Sequence, residues 1–184
     1  LAAPLHGETE ADPLVTIHVL SKQVRLLKSG AIKRIAIRTK KGSTITDEAG
    51  NGWPGEKTIE MFVRRGSLEM YLESQPVYGI GTLSISSTAN MDAAEVSIDG
   101  AVRTYPLPMT LRHGRNDVRV YVTERLNRYA VDSALAEYSG KYWKETEGIL
   151  ALAHLIRARY YHAKKRRHHD DADFCDLTHC QVYR

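Results

Sequence analysis

The chain has two cysteines among 184 residues, no apolar run long enough to cross a bilayer, and no strong excess of one charge. Each shortage excludes something. Two cysteines cannot supply the several bridges that hold a small disulfide scaffold, so the fold must come from an apolar core, which a chain of this length can bury as one domain or a compact pair. A bilayer span needs about 20 consecutive apolar residues; no segment approaches that, and no membrane span is expected. Lys and Arg number 26 against 22 Asp and Glu, a net charge of +4. So small an excess does not name nucleic acid as a partner. At 42% hydrophobic and 26% charged, the composition is that of an ordinary globular protein and not of a disordered tail. The start, Leu1-Ala2-Ala3-Pro4, has no Lys or Arg ahead of an apolar segment, so the expectation is a signal peptide absent or already removed.

Through residue 125 apolar residues alternate at period two over short stretches, the pattern of half-buried strands. The clearest are Val15 to Leu20, Ile32 to Arg38, Ile59 to Val63, Leu68 to Leu72, Tyr78 to Ile85 and Val118 to Val122. Turn residues separate them, as at Lys28-Ser29-Gly30, Arg65-Gly66 and Asp99-Gly100. Near residue 126 the period lengthens. Leu126, Tyr129, Ala130, Ser133, Ala134 and Glu137 follow at spacings of three and four, one face of a helix. Ser139-Gly140 breaks it, and a longer helix is expected from about Thr146 to about Ala163, with the stripe Ile149, Leu152, Ala153, Ile156, Tyr160. Strands first and helices last predict an α+β fold: a β-rich part over 1–125, then a helical region over 126–184 ending in a cysteine and histidine tail.

Three constellations carry chemistry. Glu137 shares a helical face with small residues, which would leave room for a ligand; beside a partly dry cleft its carboxyl would be held protonated and able to act as a general acid, against the plain reading of a surface Glu. The tail offers Cys175, His179 and Cys180, with His168 or His169 upstream for a fourth ligand, a set suited to tetrahedral zinc. A Cys175 to Cys180 disulfide and two free thiols are the other readings. The run Lys164-Lys165-Arg166-Arg167, beside Tyr160 and Tyr161, suits a polyanion site or a solvated helix end that complements the helix dipole.

Taken together, Cys175-Asp176-Leu177-Thr178-His179-Cys180-Gln181-Val182-Tyr183, the segment Arg128 to Glu137 and the helix Leu152 to Tyr161 resemble the stage II sporulation protein D family, the amidase-enhancer or LytB-like lytic transglycosylases of bacterial cell walls. The terminal stretch resembles that family's Cys-Asp-Thr-Thr-His-Cys-Gln-x-Tyr motif. The likeness covers about residues 60 to 184 as one continuous unit. Departures are His154 in place of a Gln, Arg157 in place of an Ala, and a longer segment after Glu137. Family members also continue beyond this motif, so a shortened or processed chain is expected at Arg184.

The resemblance implies cleavage of the bond between N-acetylmuramic acid and N-acetylglucosamine, with Glu137 as a single general acid and base and no second carboxylate. It implies substrate contacts from Arg159, Gln181 and Tyr183. Zinc, associated with some members, would be held by Cys175, His179, Cys180 and His169. The expected partners are peptidoglycan strands and a cell-wall amidase, in an extracytoplasmic setting; nucleic acid is not expected. Two other readings stay open: a non-catalytic glycan-binding amidase enhancer, and a zinc-stabilised nucleic-acid module using Lys164 to Arg167.

Overall fold

The computed structural model describes residues 12–79, 81–88, 93–137, 146–163 and 171–176. Strand β1 (Leu14–Val19) leads into helix α1 (Ser21–Lys28), followed by β2 (Ile35–Arg38), β3 (Ser43–Asp47), β4 (Gly52–Pro54), β5 (Thr58–Arg64), β6 (Ser67–Leu72) and β7 (Gln75–Pro76). Then come β8 (Gly81–Ser87), β9 (Ala93–Ile98), β10 (Ala101–Pro106), β11 (Met109–His113) and β12 (Val118–Arg125). Helices α2 (Leu126–Glu137) and α3 (Thr146–Ala163) follow, and the short β13 (Phe174–Cys175) is last. The class is α+β, as the order of periodicities predicts. The six clearest alternating stretches fall on β1, β2, β5, β6, β8 and β12.

The strands form two sheets, one in the order β13-β1-β12-β11-β8-β3-β4 and the other β10-β9-β2-β5-β6-β7. Alternation sets which residues turn inward: Val15, Ile17 and Val19 of β1, Ile59 and Met61 of β5, and Leu68, Met70 and Leu72 of β6 are all buried. These residues share one core cluster with Leu126, Tyr129 and Ala130 of α2 and Ile149, Ala153, Ile156 and Tyr160 of α3. Burying each large apolar side chain contributes about 1.5–3 kcal/mol, which is what holds sheets and helices together. At the β9–β10 turn Asp99 and Gly100 take φ of 46° and 94°. Asp99 then accepts the amides of Lys33 at 3.0 and 3.1 Å and Arg34 at 3.0 Å, tying this hairpin to the chain entering β2.

Two features depart from the reading of strands first and helices last. Helix α1 lies inside the stretch expected to hold only strands and turns. Leu20, left-handed at φ 61°, ends β1, and Val24 and Leu27 then seat the helix on the core. What resembled a turn at Lys28-Ser29-Gly30 is its C-terminus, where the Ser29 amide donates to the Arg25 carbonyl at 3.0 Å. The second feature is β13, which pairs in parallel with β1, Phe174 opposite Ile17 and Cys175 opposite His18. The tail thus joins the sheet that starts the chain.

Candidate functional site

Helix α2 follows β12 without a loop. Its first turn is held by segment 12–13: the Leu126 amide donates to the Pro13 carbonyl at 2.8 Å and the Asn127 amide to Asp12 Oδ1 at 2.9 Å. The face predicted from spacing is the buried one, with Leu126, Tyr129, Ala130, Ser133 and Ala134 all at 0% exposure. This corrects the expectation that the small residues leave room for a ligand. They are small because α2 lies close on the core, and the space is filled. Glu137, the last residue of α2, is exposed. It shares the stripe by spacing, but Ala134 is the last residue the core covers. Among the described residues, nothing gives this exposed carboxyl the cramped, partly dry setting expected for it.

Beside this helix end lies an open cleft of about 390 Å³. Arg128, Asp132, Leu135 and Ala136 of α2 form one wall, and Thr104 and Tyr105 of β10 belong to the other. Glu137 directly follows a lining residue. Arg128 spans two carboxylates, with Nε 2.9 Å from Glu124 and 3.7 Å from Asp132. The Glu124 side chain is only 2% exposed, and a carboxylate so buried stays charged only with a partner of this kind. Burial pushes the Asp132 carboxyl above its ordinary range, with Arg128 opposing. The motif reading passed over Asp132; its i,i+4 relation to Arg128 was the signal available. Five residues separate it from Glu137, about 140° round a helix, so the two acids do not face one sugar bond together.

Helices α2 and α3, two of the segments that carry the family resemblance, meet at the ring of Phe174, the residue before the terminal motif. Phe174, 2% exposed, stacks on Tyr129 of α2 with centroids 4.3 Å apart and lies 5.9 Å from the ring of Tyr160 of α3. Helices α2 and α3 also pack directly on each other. Arg159 lies on α3, half-buried, next to Tyr160. The start of the terminal motif and the helices bearing Glu137 and Arg159 therefore form one packed unit.

A polar clasp fixes the tail from the other side. Asp171 accepts Arg119 at 2.9 Å and the Tyr121 hydroxyl, with Arg112 3.6 Å away. Arg112 lies over the Tyr121 ring at 4.9 Å, and His18 stacks on that ring at 5.1 Å. Partial burial alone would raise the Asp171 carboxyl, but Tyr121 and Arg119 outweigh it and hold it below its ordinary range. Asp173 completes the seam: its carboxylate accepts the Thr16 amide and its own amide donates to the Thr16 carbonyl, both at 2.8 Å. Asp176 is pushed the opposite way, upward, by burial, against Ser21 and the Leu20 and Ser21 amides at the start of α1.

Of the four residues expected to hold zinc, only Cys175 lies among the described residues. It is buried on β13 beside His18 of β1. His169, His179 and Cys180, like His168, Gln181, Tyr183 and the Lys164 to Arg167 run, lie outside them. Among the described residues no three His, Cys, Asp or Glu side chains are grouped to take a metal ion. Among the described residues no helix is long and apolar enough to cross a membrane. No protein-family model, no curated protein and no solved structure matches the chain.

Proposed function

We propose that this protein is a peptidoglycan lytic transglycosylase of the cell envelope, with Glu137 as its acid and base. The observation that carries the reading is the packing of Phe174 on Tyr129 and Tyr160, which seats the residue just before the terminal motif against the helices bearing Glu137 and Arg159. The two helices and the motif that begins at Cys175 resemble the family separately in sequence, and this packing supports taking them as one site. An exposed carboxyl at a helix end, next to an open cleft, is reachable by a polymer that could not enter a closed pocket.

In the proposed reaction Glu137 donates its proton to the glycosidic oxygen between N-acetylmuramic acid and N-acetylglucosamine as the bond to C1 breaks. The resulting carboxylate takes the proton of the muramoyl 6-hydroxyl, whose oxygen bonds to C1 and closes the 1,6-anhydro ring. Glu137 ends protonated and no water is consumed, which distinguishes the path from two-carboxylate hydrolysis. Because the carboxyl is exposed in the free protein, the glycan itself must exclude water from it, and that desolvation favours the protonated acid. Arg159 would hold lactyl or acetamido groups, with Gln181 and Tyr183 lining the groove.

The exposure of Glu137 also favours a second reading, a non-catalytic member that binds glycan and stimulates a cell-wall amidase. One experiment separates the two. Purified glycan strands are incubated with wild type and Glu137→Gln, and anhydro-muramoyl products are measured by mass spectrometry. The expected result is product from wild type and a loss of about 10²–10⁴-fold in the variant. Undiminished product from the variant would remove Glu137 from the reaction. Glycan retention without product, together with a faster amidase, would establish the second reading.

A further inference from the structure

A second concave surface lies among the strands β4, β6, β7, β8 and β11, and it shares no lining residue with the cleft beside α2. It has two lobes of about 600 and 610 Å³ separated by the segment 76–78. Both are within the size range of small-ligand sites. Pro76, Val77, Tyr78, Met70 and His113 border both lobes. Tyr78 is 86% exposed on this ridge, an uncommon position for a large ring.

The lobes carry opposite charge. Among the described residues, Asp47, Glu48 and Glu73 border the first with Lys57 as its one Lys or Arg, over an apolar floor that includes Trp53 and Leu83. Among the same residues, Arg64, Arg65 and Arg115 border the second, with Glu69 as its one acid. Between them sits His113, 9% exposed, whose Nδ1 is buried with no hydrogen-bond partner among the described residues. A buried ring nitrogen left unmatched costs free energy that a bound donor or acceptor would recover. Trp53 and Pro76 also belong to β4 and β7, each an edge strand of its sheet among the described residues, and an edge is where an extended chain can pair.

We propose that this cleft binds a short peptide with a free amine and a free carboxylate, the amine toward Asp47 and Glu48 and the carboxylate toward Arg64 and Arg115. A purely anionic or purely apolar ligand would satisfy one lobe and leave the other's charge facing it. Four extended residues reach about 13 Å, and the ridge they must cross is the three-residue segment 76–78 that borders both lobes. The backbone of such a peptide also brings the donors and acceptors that His113 lacks. Binding here is separate from any reaction at Glu137 and is read without turnover.

The test is calorimetry on the full chain with tetra-alanine, its N-acetyl form and its C-amide. Free tetra-alanine is expected to bind saturably at millimolar concentration. Each cap should weaken binding by roughly fivefold, since each removes one exposed charge contact. The effects should be separable: amidation should cost less in the Arg64→Ala, Arg115→Ala double variant than in wild type while acetylation costs as much, and the reverse should hold in Glu48→Gln. These three side chains are exposed, so the fold survives their loss, as circular dichroism would verify. Binding should also weaken with salt. Absence of saturable heat, or capped peptides that bind as well as the free one, would overturn the proposal.

Discussion

Phe174 is one side chain on which three segments depend. It fills the space between Tyr129 and Tyr160, and its neighbour Cys175 is 1% exposed on the same two-residue strand. Replacing it with Ala leaves a cavity that two stiff tyrosines cannot close. The expected cost is about 3–5 kcal/mol, read as a lower urea midpoint at unchanged slope, with Phe174→Leu recovering most of it. A cost below roughly 1 kcal/mol would mean that the ring is not what joins tail to helices. The place of Glu137 on its helix follows from the spacing of Tyr129, Ala130 and Ser133, but whether the core still covers the last turn depends on where sheet and helix part. No local pattern encodes that.

At the scale of elements, legibility follows the range of the interactions. Strands β1, β5 and β6 alternate because one face is buried, and the pattern is in the sequence itself. Helix α3 was legible for the same reason at a different period, its buried Ile149, Ala153, Ile156 and Tyr160 spaced at three and four. Strand β10 was not, since four of its six residues are exposed and the alternation is lost. Helix α1 has its signal in Leu20, Val24 and Leu27, but starts one residue after a strictly alternating strand that masks the change of period. Strand β13 has two residues and exists only because β1 lies beside it, 157 residues away in sequence. Its seam makes a direct prediction. Asp173→Ala removes the acceptor for the Thr16 amide and should cost about 1 kcal/mol, with faster hydrogen exchange at Thr16 and little change at β5. Unchanged exchange at Thr16 would show that the backbone pairing suffices without the carboxylate.

For the whole molecule, half-buried carboxyls shape the response to acid, and they act with opposite signs. Asp171 is held below its ordinary value, so its contribution is fully present above the unfolded carboxylate range, near pH 3.9, and is lost as pH falls through the lower folded value. Asp132 and Asp176 are raised by burial; the cost of charging them is borne at neutral pH and relieved as pH drops through their raised values. Wild type should therefore hold its stability on mild acidification and lose it below about pH 4. Asp171→Asn should flatten that last loss, measured as the melting temperature at successive pH values. An equally steep fall in the variant would assign acid sensitivity to other groups.

The partnership of β1 with β13 also has a consequence for synthesis. Strand β1 leaves the ribosome 157 residues ahead of β13, the strand that covers one of its flanks. Until β13 follows, that flank is a bare row of amides and carbonyls, able to template against another nascent copy. Mispairing has its opening in the delay between the two strands, and completion of the seam is the event that closes it.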